Sequence, residues 1–283
     1  MEIKMKKAVN VFIGATLMFL LLSGLSGAAG NEVLSNAVYA AACILPTVFA
    51  IFSKWCDACR EKARYLTFDG GRVLKFLPTV APVIAVIIGI SALSSFIMSI
   101  TVGGTTVKAP EQLGGSIGIA LLLHALMPAV LEEALFRYVP LRLIARRSPR
   151  VAVLLSAIFF ALVHTDFFVI PYAFFAGVAF MVLDIALDSV YPSIILHFIN
   201  NALSVLFSFY GENPEVMTAI YITVAVLTLI SALLILIFRR KYEVLIKCAF
   251  DRGEGYKRSS EVFLVIIPCL VLALVRLIGA IIY

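Results

Sequence analysis

The residues best suited to chemistry in this chain are two adjacent glutamates, Glu132 and Glu133, with Arg137 one helical turn later. All three lie inside a long apolar stretch, residues 126–141. An ionisable group at membrane depth costs at least about 2.5–3.5 kcal/mol on insertion scales unless it finds a partner or a wet cavity. Such groups are therefore candidates for function, and carboxyl groups suit acid–base chemistry because they can accept and return a proton.

Glu133 and Arg137 are four positions apart, with the acidic residue first. Residues at this spacing share a helix face, so these two side chains are expected to form an ion pair that makes an apolar span tolerable. Glu132 is rotated by about 100° from its neighbour and has no basic partner on the same helix. An unpaired carboxylate in such surroundings suits a general base that activates water. The two glutamates are therefore predicted to have different roles.

Two later apolar stretches each carry a polar residue paired with a neighbour at helical spacing. His164 follows Phe160 by four positions, and Asn201 follows His197 by four. A lone histidine in an apolar stretch is more often a satisfied core residue, but these two occur beside further polar groups. Imidazole and carboxamide groups can both donate hydrogen bonds to negative charge that develops during a reaction. Asn200, next to Asn201, is expected to point elsewhere.

The depth of these residues in the predicted spans offers an independent argument. At about 1.5 Å per residue from the inner end of each span, Glu132 lies roughly 15 Å deep, His164 roughly 21 Å and His197 roughly 14 Å. The apolar core of a bilayer is about 30 Å thick, so all three residues fall near its middle. We therefore expect them to contribute to one active site inside the bilayer.

The composition is that of an integral membrane protein. Of the 283 residues, 62% are hydrophobic, and the mean hydropathy is +1.06. Apolar stretches of about 20 residues cross a bilayer as helices. The chain is therefore predicted to be all-α, a polytopic transmembrane helical bundle of eight or nine spans that forms a single integral membrane domain over residues 1–283. The predicted spans are 8–29, 33–53, 77–101, 114–141, 151–166, 168–187, 190–209, 215–238 and 261–282.

The net charge of +6 indicates topology and not nucleic-acid binding. Most of the 23 basic residues precede the first span or fall in the second, fourth and eighth loops, which share one side of the membrane if nine spans alternate. The positive-inside rule places that side, with the N-terminus, in the cytoplasm. The sixth loop is assigned to the same side but carries Asp184 and Asp188. We see no organelle-targeting segment, which favours a multi-pass protein of a prokaryotic plasma membrane.

Three motifs in separate apolar spans together resemble the signature of the CPBP family of intramembrane glutamic proteases. That family includes the type II CAAX prenyl endopeptidases and bacterial bacteriocin-processing or self-immunity proteins. The resemblance covers the expected catalytic core, about residues 114–209. The motifs are Glu132-Glu133-x-x-x-Arg137, Phe160-x-x-x-His164 and His197-x-x-x-Asn201.

The resemblance implies an endopeptidase that hydrolyses peptide bonds of membrane-associated peptides or proteins, with prenylated CAAX-type tails as one substrate class. Glu132 would be the general base that activates water. His164 would help to position or polarise that water. His197 and Asn201 would form the oxyanion hole. The family implies no metal, no other cofactor and no covalent acyl-enzyme.

The same resemblance assigns Glu133, Arg137 and Phe160 to structural support of the site. The sequence departs from the family at Tyr138, where many members carry glycine. This difference would alter the packing beside the site but would remove no catalytic group.

Other functions remain open at this point. Glu132, His164 and His197 supply two nitrogens and a carboxylate, which is the ligand set of many zinc enzymes, although the sequence has no His-Glu-x-x-His motif. A zinc-dependent membrane protease is therefore one alternative. A non-catalytic membrane scaffold or an immunity protein that binds a partner is another. A transporter is disfavoured because the sequence lacks paired Gly/Pro-broken helices in matching halves.

Overall fold

The computed structural model describes residues 2–26, 31–53, 64–66, 70–102, 116–164, 169–210 and 214–251. Within these ranges the regular elements are all helical, so the predicted all-α class is confirmed. A 3₁₀ turn occupies Arg64–Leu66. The longer helices are α1 (Glu2–Ser26), α2 (Glu32–Phe52), α3 (Gly70–Val102), α4 (Ile117–Ala145), α5 (Pro149–Val163), α6 (Val169–Leu187), α7 (Tyr191–Tyr210), α8 (Pro214–Ile237) and α9 (Arg239–Phe250).

Six helices in the described part of the chain are long and apolar enough to cross a membrane, namely α1, α2, α4, α6, α7 and α8. The apolar part of α3, Val80–Ser94, and the whole of α5 are shorter. The predicted count of eight or nine spans is therefore not confirmed, and the predicted span 261–282 lies outside the described residues. The chain is a multi-pass membrane protein.

α5 begins at a strong capping signal and ends early. The Ser148 hydroxyl accepts a hydrogen bond from the Val151 N–H at 3.3 Å, and Pro149 occupies the first helical position, where its missing N–H costs nothing. The helix has 15 residues and stops at Val163, and His164 follows with extended backbone dihedrals. At about 1.5 Å per residue, α5 is about 22 Å long, shorter than a bilayer core.

α4 contains three π-helical turns, Leu121–Leu126, Ala134–Tyr138 and Leu141–Ala145. Such turns are rare and occur often at functional sites, since they change which carbonyl each N–H reaches. The second π turn directly follows Glu133. Here the Phe136 carbonyl accepts a hydrogen bond from the Ser156 hydroxyl at 2.5 Å. This contact fixes α5 against the part of α4 that carries the glutamates.

The packing of the helices places α4 at the centre of the candidate site. α1 packs on α2, α6 packs on α5, and α3 packs on α8, while α4 contacts α2, α5 and α7. Phe12 of α1 stacks on Phe159 of α5 with ring centroids 5.4 Å apart. The largest buried core runs through α1, α4, α5 and α6. The glutamates of α4 therefore face side chains from α2, α5 and α7.

Asp184 belongs to α6 and not to a loop, which corrects the sequence-based assignment. Its side chain is fully buried, and its Oδ1 accepts a hydrogen bond from the Ser193 N–H at 3.2 Å. Because Ser193 lies in the first turn of α7, the carboxylate accepts from one of the N–H groups that have no carbonyl partner within the helix. The turn between the helices is tight, with Asp188 at a φ of 54°. Asp184 thereby fixes the start of the helix that carries His197.

α5 and α6 approach each other closely at Gly177. A Cβ added there would lie 2.8 Å from the Ala157 Cα and 3.1 Å from the Ala157 Cβ. Small residues allow membrane helices to pack backbone against backbone, and this gain in contact holds the two helices together.

We expect Gly177→Ala to destabilise the protein by about 1–3 kcal/mol, because the clash is with backbone atoms that cannot rotate away. The measurement is thermal unfolding of the purified protein in detergent. Gly24→Ala is the matched control, since nothing lies within 4 Å of a Cβ at that position. It should leave stability unchanged or raise it. Equal unfolding temperatures for the two variants would contradict the close-packing argument.

Candidate active site

A buried ion pair forms the base of the site. The Arg137 Nη1 lies 3.0 Å from the Glu133 Oε1, and neither side chain has any exposed surface. The guanidinium also stacks over the Phe160 ring, 3.9 Å from its centroid. A charge buried in this way requires an opposite charge and a polarisable neighbour, and both are present. The ion pair expected from the four-residue spacing is thus observed.

His197 of α7 joins this ion pair to the second glutamate. Its Nδ1 lies 2.7 Å from the Glu133 Oε1, and its Nε2 lies 4.0 Å from the Glu132 Oε2. An ionised carboxylate only accepts, so the Nδ1 carries the shared proton. The Nε2 can then donate a hydrogen bond only when the imidazole is protonated on both nitrogens. The chemistry available to His197 is therefore set by Glu133.

His164 stands at the C-terminal end of α5. Its Nδ1 lies 2.7 Å from the Phe160 carbonyl oxygen, which accepts and never donates, so the neutral ring holds its proton on Nδ1. The Nε2 is left with a free lone pair. A water proton can bind there. The helix end thus fixes the tautomer as well as the position of this imidazole.

Phe160 connects the polar groups that surround it. Its ring meets the His164 ring edge-on at 4.9 Å and the His197 ring edge-on at 5.6 Å, while Arg137 covers one face. Edge-to-face contacts of this kind are favourable and directional. Phe160 therefore holds both imidazoles and the guanidinium in fixed relative positions, in agreement with a supporting role.

The two adjacent glutamates have different surroundings. Glu133 is enclosed by Arg137 and His197, whereas Glu132 keeps 13% of its side chain exposed. The Glu132 Oε1 accepts a hydrogen bond from the Tyr39 hydroxyl of α2. The motifs gave no sign of Tyr39, because a single tyrosine in an apolar span has no spacing that points to a partner 93 positions away.

A small cavity of about 30 Å³ opens beside the imidazoles. A water molecule needs about 10–15 Å³ of such volume and two to four polar partners, so this space suits one or two waters. Both Asn200 and Asn201 line it, which corrects the expectation that Asn200 points elsewhere. The described lining residues are Ile87, Phe160, His164, Tyr172, Ala176, Phe180, His197, Asn200 and Asn201.

The two asparagines also contact each other. The Asn200 Nδ2 donates to the Asn201 Oδ1 at 3.4 Å. This bond uses the Asn201 carbonyl oxygen as its acceptor. The amide N–H groups of Asn201 can donate to a different acceptor. The carboxamide that the sequence singled out is thus oriented by its neighbour.

Glu132, His164 and His197 do not form a metal-binding group. No cluster of three or more His, Cys, Asp or Glu side chains with a suitable geometry for a metal ion occurs among the residues that the structure describes. The His197 Nε2 and the Glu132 Oε2 lie 4.0 Å apart. The three residues considered from the sequence as zinc ligands are therefore not arranged around a common point in this structure.

Fold and site together define a polytopic membrane protein with a buried carboxylate–imidazole–amide centre. Residues 114–203 match the family model of the type II CAAX prenyl endopeptidase Rce1-like proteins. This match assigns the segment that carries all three motifs to the CPBP/CAAX protease family and confirms the resemblance found in the sequence. The family implies a membrane protease that acts on membrane-associated substrates. No curated protein and no solved structure matches the chain.

We expect Arg137→Gln to lower the free energy of unfolding by about 3–5 kcal/mol, because it leaves the Glu133 carboxylate buried without a counter-charge. The double variant Glu133→Gln/Arg137→Gln removes both charges and should recover part of this loss. Thermal unfolding in detergent measures both effects.

The exposed residue Arg150 provides the control, since Arg150→Gln should change stability little. A double variant less stable than Arg137→Gln would contradict the ion-pair explanation.

Proposed function

We propose that this chain is a metal-independent intramembrane glutamic endopeptidase. The observation that carries the proposal is the water-sized cavity lined by His164, His197 and Asn201. Glu132 is not among its lining residues but faces His197, with its Oε2 4.0 Å from the imidazole Nε2. Peptide hydrolysis needs an activated water and a donor set for the tetrahedral oxyanion. Both requirements are met by residues that the three motifs contain.

In the proposed reaction Glu132 is the general base. Its carboxylate takes a proton from water as the water oxygen forms a bond to the scissile carbonyl carbon. The proton then passes to the peptide nitrogen as the C–N bond breaks, which releases an amine and a carboxylic acid and restores the Glu132 carboxylate. Hydrogen bonds of a catalytic base are often long before substrate binds, which agrees with the open geometry around Oε2.

His164 is proposed to hold the attacking water. Its Nε2 has a free lone pair because its Nδ1 is committed to the Phe160 carbonyl, so it accepts a hydrogen bond from water. With one water proton bound by His164, the other is directed toward the carboxylate.

His197 and Asn201 are proposed to form the oxyanion hole. His197 donates from Nε2 in its doubly protonated form, while Asn201 donates from its amide. With His197 protonated, the contacting groups Glu132, Glu133, Arg137 and His197 carry two negative and two positive charges.

The remaining motif residues are proposed to brace the site. Glu133 holds His197, Arg137 neutralises Glu133, and Phe160 separates the two imidazoles. We further propose that residues 1–283 form one integral membrane domain with a catalytic core at about 114–209. The charge pattern supports a plasma-membrane protein with a cytoplasmic N-terminus. The substrates are membrane-associated peptides or proteins, with prenylated CAAX-type tails as one class to test.

The decisive experiment is cleavage of a peptide library, with and without prenylated C-termini, by purified protein in liposomes. We expect Glu132→Gln to abolish cleavage, because the amide cannot accept the water proton, and we expect a metal chelator to have no effect. Glu243→Gln, an exposed carboxylate in α9, is the matched control and should cleave normally.

Three results would count against the proposal. Cleavage by both Glu132→Gln and His164→Ala at the wild-type rate would exclude this mechanism. Loss of cleavage with chelator, restored by zinc, would favour a metalloprotease. No cleavage by folded wild-type protein, together with tight substrate binding that Glu132→Gln preserves, would favour a non-catalytic scaffold or immunity protein.

We expect Asn201→Ala to lower kcat by about 10²–10³ with little change in KM, since one oxyanion donor contributes about that much. Asn200→Ala should cost less than about ten-fold, because Asn200 only orients its neighbour through a single neutral hydrogen bond. Steady-state cleavage of the best library peptide measures both. Equal losses in the two variants would place the oxyanion donor elsewhere.

A further inference from the structure

A tyrosine outside the family-matched segment contacts the proposed general base. The Tyr39 hydroxyl, in α2, donates a hydrogen bond to the Glu132 Oε1. The family match begins at residue 114, so Tyr39 belongs to a part of the chain on which the motifs are silent. Tyr39 is not among the described residues that line the cavity.

This bond makes the two carboxylate oxygens of Glu132 different. Oε1 accepts from Tyr39, while Oε2 is the oxygen that faces the His197 Nε2 at 4.0 Å. A carboxylate held at one oxygen cannot rotate freely about its last side-chain bond. The other oxygen is thereby presented in a fixed direction toward the imidazoles.

Tyr39 is itself held in place. Its ring meets Phe19 of α1 edge-on, with centroids 6.3 Å apart, and the buried Cys43 lies one turn further along α2. A second contact fixes α2 along α4: the Glu32 Oε1 lies 3.6 Å from the His124 Nε2. The hydroxyl is therefore supported by a rigid ring on a helix whose register is fixed.

Other hydroxyls on α1 and α2 bond within their own helices. The Thr16 hydroxyl donates to the Phe12 carbonyl and the Thr47 hydroxyl to the Cys43 carbonyl. Tyr39 differs because its rigid ring carries the hydroxyl away from its own backbone and across to another helix. The acceptor that it reaches is the one carboxylate to which the proposed mechanism assigns proton transfer.

We infer that Tyr39 is a positioning residue that orients the Glu132 carboxylate so that Oε2 takes the proton from the attacking water. This inference rests on the proposed role of Glu132 as general base. It extends the working site to α2, a helix outside the family-matched segment. Orientation of a base acts on the chemical step, so its loss should appear in kcat and not in KM.

The test is steady-state cleavage by Tyr39→Phe in the full-length protein, with the best peptide from the library. We expect kcat to fall about ten-fold, which corresponds to about 1.4 kcal/mol, while KM stays within about two-fold. Tyr138→Phe is the matched control: it removes a buried hydroxyl that accepts from the Arg142 Nη1 at 3.1 Å and does not touch Glu132. Its kcat should match that of the wild type.

A second pair of variants keeps the test valid if Tyr39→Phe does not fold. Tyr39→Gln and Tyr39→Leu are similar in size, but only the first retains a hydrogen-bond donor. We expect Tyr39→Gln to cleave faster than Tyr39→Leu at equal thermal stability. Equal rates for this pair would overturn the inference.

The outcomes separate this inference from the proposed function. Glu132→Gln that cleaves normally would overturn both. Inactive Glu132→Gln together with wild-type kcat for Tyr39→Phe would overturn only the role of Tyr39. Equal losses of kcat in Tyr39→Phe and Tyr138→Phe, or a change confined to KM, would also overturn it. A fall in kcat specific to Tyr39→Phe supports it.

Discussion

The arrangement of the polar centre depends on the complete burial of Arg137. A guanidinium without any exposed surface must have its charge compensated within the protein, and Glu133 and the Phe160 ring provide this compensation. Glu133 then holds His197, and Phe160 holds His164. One buried cation thus determines the position of two side chains from two other helices. The residues proposed to do chemistry are arranged around a group that does none.

The same arrangement explains how two identical side chains can act differently. The Oε1 of Glu133 contacts both a cation and an imidazole, and the residue has no exposed surface with which to meet a substrate. Glu132 has one oxygen bound to a neutral hydroxyl and some exposed surface. Beyond the glutamates, the Phe136 carbonyl has no α-helical donor because Pro140, four residues later, lacks an N–H, and the Ser156 hydroxyl of α5 donates to it instead. Environment, and not residue type, separates the supporting glutamate from the one proposed as a base.

Part of this structure could be predicted from the sequence, and the rest depends on contacts without a local signal. Hydropathy was enough for the all-helical class and for a multi-pass chain, since apolar length is a one-dimensional property. Four-residue spacing was enough for the Glu133–Arg137 pair. The predicted count of eight or nine spans was not confirmed, because α5 and the apolar part of α3 are shorter than the usual length of a membrane-spanning helix. Tyr39 could not be found, since its hydrogen bond crosses 93 positions.

Asp184 and Asn200 show two further limits of sequence reasoning. Its charge led to the assignment of Asp184, near the end of the predicted span 168–187, to the following loop, yet the N-terminus of α7 offers it a buried N–H partner. On an α-helix the adjacent residues Asn200 and Asn201 point in different directions, yet both side chains line the same small cavity. In both cases a side chain found a partner that only the tertiary structure provides.

The shortness of α5 has a consequence for the surrounding lipid. A helix of 15 residues is about 22 Å long, so it cannot match a bilayer core of about 30 Å. Lipid accommodates a short apolar segment by thinning locally, and non-helical backbone at membrane depth is tolerated only beside protein or water. In a bilayer, the end of α5 at His164 therefore requires local thinning of the lipid, or protein or water beside the helix end.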